Sequence, residues 1–76
     1  MDNVRSYMAT DRQLDVLEYL RAHQDKYRMP PTRAEIARHF GWASANAAQQ
    51  HLEALERKGL IEFLPGRARG IMVVGD

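Results

Sequence analysis

Three side-chain amides recur at helical spacing in the centre of the chain. Gln49 and Gln50 follow Asn46 by three and four residues, so all three fall on one face of a helix. Amide side chains donate and accept hydrogen bonds without carrying charge, and they can pair bidentately with adenine in a major groove. Ala47, at the edge of this face, offers a methyl group suited to a thymine. The pattern predicts a helix that reads base edges in duplex DNA.

The plainer interpretation is the solvated face of a core helix, because Gln and Asn are common at protein surfaces. Ala48, Leu52 and Leu55 lie opposite the amides and form an apolar face. Ser44 is the expected N-cap, and its hydroxyl and the free N–H groups of the first turn could hold a phosphate. The segments on either side of this helix favour the DNA-reading interpretation.

A short helix and a glycine turn precede the amide helix. Thr32 and Glu35 form a capping box, and Gly41 occupies a position suited to a left-handed C-terminal residue. A short helix, a glycine turn and a second helix are typical of a helix-turn-helix. Gly59 ends the amide helix after Arg57 and Lys58, two cations that suit its C-terminal dipole.

Two apolar runs follow, at residues 60–64 and 71–74, and a glycine-bearing turn joins them. Runs of this length predict a β-hairpin, here a wing. Arg67 and Arg69 in the turn are candidates for DNA backbone or minor-groove contacts, with a solubilising loop as the alternative. Further candidates for phosphate contact, or for plain surface charge, are Arg33, Arg57 and Lys58.

The start of the chain predicts one more helix, which covers the core. Thr10 and Gln13 form a capping box. The apolar residues that follow fall within one arc of a helix of roughly fifteen residues: Leu14, Val16, Leu17, Leu20 and Tyr27. The Pro30-Pro31 pair then forces an extended segment. The expected fold class is mainly α with a small hairpin, a winged helix-turn-helix over residues 10–76 behind a flexible arm at 1–9.

Composition bounds the function of this 76-residue chain. It has no cysteine, its apolar runs are too short to span a bilayer, and its N-terminus lacks the apolar core of a signal peptide, so a cytoplasmic protein is expected. The net charge is only +1, but residues 26–76 carry eight basic and five acidic side chains. That basic excess accompanies the amide helix and would attract phosphates.

No catalytic or metal-binding constellation is present in the sequence. His23, His39 and His51 belong to different helices or faces and lack a partner motif, so we expect no metal and no cofactor. The sequence also lacks a nucleophile–base pair, so we expect neither an enzyme nor a small-molecule substrate. Trp42 is expected to pack against the turn rather than stack on a base, and His51 to serve as a structural hydrogen-bonding group.

Three segments carry a family resemblance, with the patterns MPPTRAEIA at 29–37, S-x-N-A-A-x-x-H-L-x-A-L-x-R-K-G at 44–59 and G-x-x-R-G-I at 66–71. Together they resemble the N-terminal domain of the LexA family, the bacterial SOS repressors, over residues 8–74. The resemblance implies a winged helix-turn-helix that represses DNA-damage-response genes by occupying operators. It also implies base reading by the following residues: Ser44, Asn46, Ala47, Gln49 and Gln50.

Two departures from the family pattern bear on function. The family commonly has two glutamates where this chain has Gln49 and Gln50, and a basic residue in place of Ala43. Since glutamate accepts from cytosine and glutamine favours adenine, a different operator is expected. The family's self-cleaving serine–lysine domain has no counterpart among Ser6 and Ser44. We expect a monomer alone, and a dimer on palindromic DNA or through a C-terminal domain that this sequence does not contain. The alternative functions are a stand-alone LexA-like regulator with a different operator and a winged-helix protein-interaction module.

Overall fold

Capping boxes set the start of the first two helices. In the computed structural model, which describes residues 9–74, α1 spans Asp11–Tyr27, α2 spans Arg33–Phe40 and α3 spans Ala45–Arg57. Thr10 Oγ1 accepts from the Gln13 amide at 3.2 Å, and Gln13 Oε1 accepts from the Thr10 amide at 3.0 Å. Thr32 and Glu35 repeat this arrangement at the start of α2. Both predicted boxes are confirmed.

The predicted glycine turn between α2 and α3 is also present. Gly41 has a φ of +73°, which places it in the left-handed region. The Trp42 amide donates to the Ala37 carbonyl at 2.8 Å, and Ala37 lies in the last turns of α2. This bond satisfies a carbonyl at the helix end and turns the chain sharply toward Ser44, the residue before α3.

A two-stranded hairpin completes the fold and confirms the predicted class. Strand β1 (Ile61–Phe63) runs antiparallel to β2 (Ile71–Val73), with Ile61 opposite Val73. The Leu64 amide donates to the Gly70 carbonyl at 2.7 Å and the Val74 amide to the Leu60 carbonyl at 2.9 Å, so hydrogen bonding continues one residue beyond each strand. Most of the predicted arm, residues 1–8, lies outside the described residues.

All three helices and the hairpin contribute to one apolar core. Its buried residues are Val16, Leu17, Leu20, Ile36, Ala37, Ala48, Leu52, Leu55, Leu60, Ile61 and Ile71. The predicted burial of Leu14 and Tyr27 was wrong, since they are 37% and 50% exposed. The line Gln13, Val16, Leu17 and Leu20 faces the core instead, which turns the Leu14 edge of α1 toward solvent. The ring of Tyr27 stacks obliquely on His23, at 4.6 Å.

We expect Gly70→Ala to destabilise the hairpin, because a Cβ there would lie 2.4 Å from the Leu64 carbonyl oxygen. Both atoms belong to the closely packed ends of the strands, so the backbone has to shift. The expected loss is about 1–3 kcal/mol of unfolding free energy, measured by chemical denaturation. Ala68→Gly, in the exposed part of the same turn, should cost less than about 1 kcal/mol. Equal stability of Gly70→Ala and the parent chain would contradict this.

Candidate nucleic-acid interface

Helix α3 has one face in the core and the opposite face in solvent. Ala48, Leu52 and Leu55 are fully buried against the rest of the core. Asn46 and Gln50 are exposed on the other side, while Ala47 and Gln49 are half-buried between the two. Neither the hairpin nor α1 covers the amide-bearing face, so a large partner can reach it.

Ser44 precedes α3 with its hydroxyl uncommitted to the helix. The residue is extended, with φ −155° and ψ 163°, and its side chain makes no capping hydrogen bond. Its carbonyl accepts from the Ala47 amide at 3.1 Å. The exposed hydroxyl therefore lies beside the first turn of α3, where it is free to contact a ligand.

Gln49 is held by two partners at once. The Nε of Arg33, at the start of α2, donates to Gln49 Oε1. Gln49 Nε2 donates in turn to Glu53 Oε2 at 2.8 Å, one turn further along α3. The Arg33 guanidinium also lies over the Phe63 ring of β1, 5.2 Å from its centroid. This chain of contacts connects α2, α3 and the wing.

Arg69 ties the wing turn to the start of α2. Its two terminal nitrogens donate to the two carboxylate oxygens of Glu35, each at 2.8 Å, and one of them also donates to the Pro30 carbonyl at 3.0 Å. A bidentate pair of this kind fixes geometry as well as charge. The predicted phosphate contact of Arg69 would have to compete with Glu35, and it stays a prediction.

A histidine extends the polar network around Glu35. His23 Nδ1 lies 2.8 Å from the Met29 carbonyl, and His23 Nε2 lies 3.8 Å from Glu35 Oε1. The Arg69 hydrogen bonds, followed by the Thr32 backbone N–H, lower the pKa of Glu35 from 4.5 to about 2. The same pairing raises the pKa of Arg69.

The other predicted phosphate ligands fall into two groups. Lys58 donates to Gln13 Oε1 at 2.6 Å, which connects the end of α3 to the start of α1. Arg33 and Arg69 are engaged within the fold as described above, whereas Arg57 and Arg67 are exposed. Sequence inspection did not reveal these internal contacts, because each partner lies far away along the chain.

Trp42 packs inside the turn, as predicted, rather than projecting from it. Its ring stacks between Phe40, at a centroid distance of 4.9 Å, and His51, at 4.4 Å. The interplanar angles are 17° and 16°. His51 thus contributes a stacking surface that joins α3 to the preceding turn, in place of the hydrogen-bonding role assigned to it from sequence.

The described residues show no other type of site at this interface. Over residues 9–74, no three His, Cys, Asp or Glu side chains are grouped so that they could hold a metal ion. None of the helices in that range is both long and apolar enough to cross a membrane.

The short helix, the glycine turn, the half-exposed α3 and the following hairpin define a winged helix-turn-helix domain. Residues 7–70 match the family model described as the LexA DNA binding domain, and the chain belongs to that family. The predicted winged helix-turn-helix fold and the predicted membership of the LexA DNA-binding domain family are thereby confirmed.

Curated relatives extend beyond the region that they share with this chain. The LexA repressor of Idiomarina loihiensis is 55% identical over 67 residues, which cover 88% of this chain and 33% of the relative. The LexA repressor of Haemophilus influenzae strain PittGG is also 55% identical over 67 residues, or 32% of its length. That of Alteromonas mediterranea is 60% identical over 62 residues. The chain spans about a third of the length of these relatives.

The Glu35–Arg69 pair predicts a stability contribution that disappears in acid. Folding lowers the Glu35 pKa from 4.5 to about 2, so the carboxylate stabilises the fold above pH 4.5 and ceases to do so as the pH falls toward 2. Glu35→Gln keeps a capping-box side chain but loses the charge. The difference in unfolding free energy between the parent chain and Glu35→Gln should shrink between pH 4.5 and pH 2.

Urea denaturation across this pH range measures the difference. Glu18→Gln, which removes an exposed carboxylate from α1, is the matched control. A Glu35→Gln difference that is as large at pH 2 as at pH 6 would show that the ion pair with Arg69 does not stabilise the wing turn.

Proposed function

We propose that this chain is the operator-binding part of a LexA-type repressor and that α3 enters the major groove of duplex DNA. The observation that carries this proposal is the exposed, uncharged amide face of α3 opposite its buried apolar face. An α-helix fits the major groove, where amides can read base edges. The base-reading set proposed is Ser44, Asn46, Ala47, Gln49 and Gln50.

Exposed cations in α3 and in the wing turn suit the DNA backbone. Arg57 at the end of α3 and Arg67 in the wing turn are exposed, and we assign them to direct phosphate contacts. Arg33, Lys58 and Arg69 remain in the proposed phosphate-binding set, with part of their hydrogen-bonding capacity engaged inside the fold. The wing then lies along the backbone beside α3.

The relatives are named LexA repressor, and that name supports a proposal for the role of the whole protein. We propose that the protein represses DNA-damage-response genes in the bacterial cytoplasm, at the nucleoid, and that this chain contributes binding rather than catalysis. One such module typically buries only about 600–1,000 Å² of protein surface on DNA. Two copies on a palindrome, with half-sites about one helical turn apart or a multiple of it, would supply the affinity for stable occupancy.

Selection from a pool of random duplex DNA tests this proposal. A short motif should emerge, and it should be rich in adenine where the two glutamines lie, since Gln49 and Gln50 each carry an amide where the family commonly has an acceptor-only glutamate. The selection is repeated with a variant in which the residues at positions 46, 49 and 50 are rearranged, which leaves the charge of α3 unchanged. This variant should not return the same motif. Enrichment of no motif by the parent chain would favour a protein-interaction module instead.

Asn46→Ala should weaken binding to the selected duplex by about 1–3 kcal/mol and relax preference at one base pair. The side chain is exposed, so the substitution should leave stability nearly unchanged. Fluorescence anisotropy titrations against the selected duplex and its single-base variants measure both effects. Gln24→Ala, which removes an exposed amide from α1, is the control, and equal affinities of Asn46→Ala and Gln24→Ala would rule out base reading by Asn46.

A further inference from the structure

Gln49 lies between one partner that can only donate and one that can only accept. Arg33 Nε donates to Gln49 Oε1, and Gln49 Nε2 donates to Glu53 Oε2 at 2.8 Å. An arginine has no acceptor, and a carboxylate at neutral pH has no donor. The Gln49 carboxamide therefore has only one polarity in which both hydrogen bonds form, with oxygen toward α2 and nitrogen toward the next turn of α3.

The two contacts leave the amide half unsatisfied. A carboxamide has two oxygen lone pairs and two N–H donors. Arg33 takes one lone pair and Glu53 takes one N–H, so one acceptor and one donor remain. One acceptor beside one donor is the complement of adenine, which presents N6–H and N7 in the major groove.

We infer that Arg33 and Glu53 are positioning residues that fix the Gln49 carboxamide in a single orientation for reading adenine. This inference rests on the proposed DNA-binding function and deepens it. Within residues 9–74, the Asn46 and Gln50 side chains make no hydrogen bond, so their amides can still rotate. Gln49 loses less rotamer freedom on binding than they do, and its discrimination should be correspondingly sharper.

The arrangement also explains why an amide suits position 49 in this chain. A carboxylate there would accept from Arg33 equally well, but it would lie four residues from Glu53 on the same helix. Like charges at that spacing destabilise a helix. The Arg33 guanidinium also packs over the Phe63 ring, so the wing strand supports the side chain that holds Gln49.

The first stage of the test locates the base pair that Gln49 contacts. Binding-site selections from random duplex DNA are run with the parent chain and with Gln49→Ala. The position at which preference relaxes is the Gln49 position, and adenine is expected there. A parent selection without any motif would overturn the proposed function itself, whereas a motif in which Gln49→Ala relaxes a position other than adenine would overturn this inference alone.

The second stage measures discrimination at that position with modified duplexes. Adenine is replaced by 7-deazaadenine, which lacks the N7 acceptor, or by purine, which lacks the N6 amino group. Either replacement should weaken binding of the duplex by the parent chain about 3- to 10-fold. The ratio of the affinities for the adenine duplex and the modified duplex is the quantity compared between variants. Glu53→Gln and Arg33→Gln each replace a partner that can only accept or only donate with an amide that can do both. The partner then no longer enforces one polarity of Gln49, and the affinity ratio between adenine and its analogues should fall by about threefold or more at the Gln49 position only.

Matched variants separate positioning from bulk electrostatics and from stability. Glu56→Gln removes the same charge from α3, and Arg38→Gln makes the same exchange on the exposed side of α2. Both should keep the parent ratios at every position. Unchanged ratios in Glu53→Gln and Arg33→Gln, or an equal loss at all positions of the motif, would overturn the inference.

Discussion

Burial of one face of α3 determines where its polar side chains point. Ala48, Leu52 and Leu55 are fully enclosed by the other helices and the hairpin, and a helix that buries one face must present the opposite one to solvent. Asn46 and Gln50 are therefore held outward by the core itself. The turn at Gly41 and the stacking of Trp42 set the angle between α2 and α3. The orientation of the amide face therefore depends both on this turn and on the core beneath α3.

Glu35 adds a polar constraint to the apolar one, because its hydrogen bonds join α2 to the wing turn. The same carboxylate closes the capping box of α2 and receives both nitrogens of Arg69 from the wing turn. Glu35 thus connects the start of α2 to the hairpin, and the Arg69 side chain that it holds also donates to the Pro30 carbonyl. Because the wing has only two short strands, a contact of this kind adds to the few hydrophobic residues that hold it against the helices.

The sequence was sufficient for features that depend on neighbouring residues. Both capping boxes, the Gly41 turn and the hairpin follow from local chemistry within a few positions, and the LexA-like segments point to the family. The contacts of Arg33 with Gln49, Arg69 with Glu35 and Lys58 with Gln13 join residues 16, 34 and 45 positions apart. They depend on how the elements pack, which periodicity does not specify. The exposure of Leu14 has the same origin. The packing of α1 buries Gln13 in place of its neighbour Leu14, and the Leu14 side chain consequently faces solvent.

The aromatic stack at the turn has a practical consequence. Trp42 is the single tryptophan of the chain, and its indole lies between Phe40 and His51, beside the first turns of α3. Its intrinsic emission consequently comes from one place, the joint between the two helices of the helix-turn-helix. Unfolding of this turn, or contact of a duplex with it, changes the surroundings of that one indole. The protein therefore carries an intrinsic fluorescent reporter at the turn between α2 and α3.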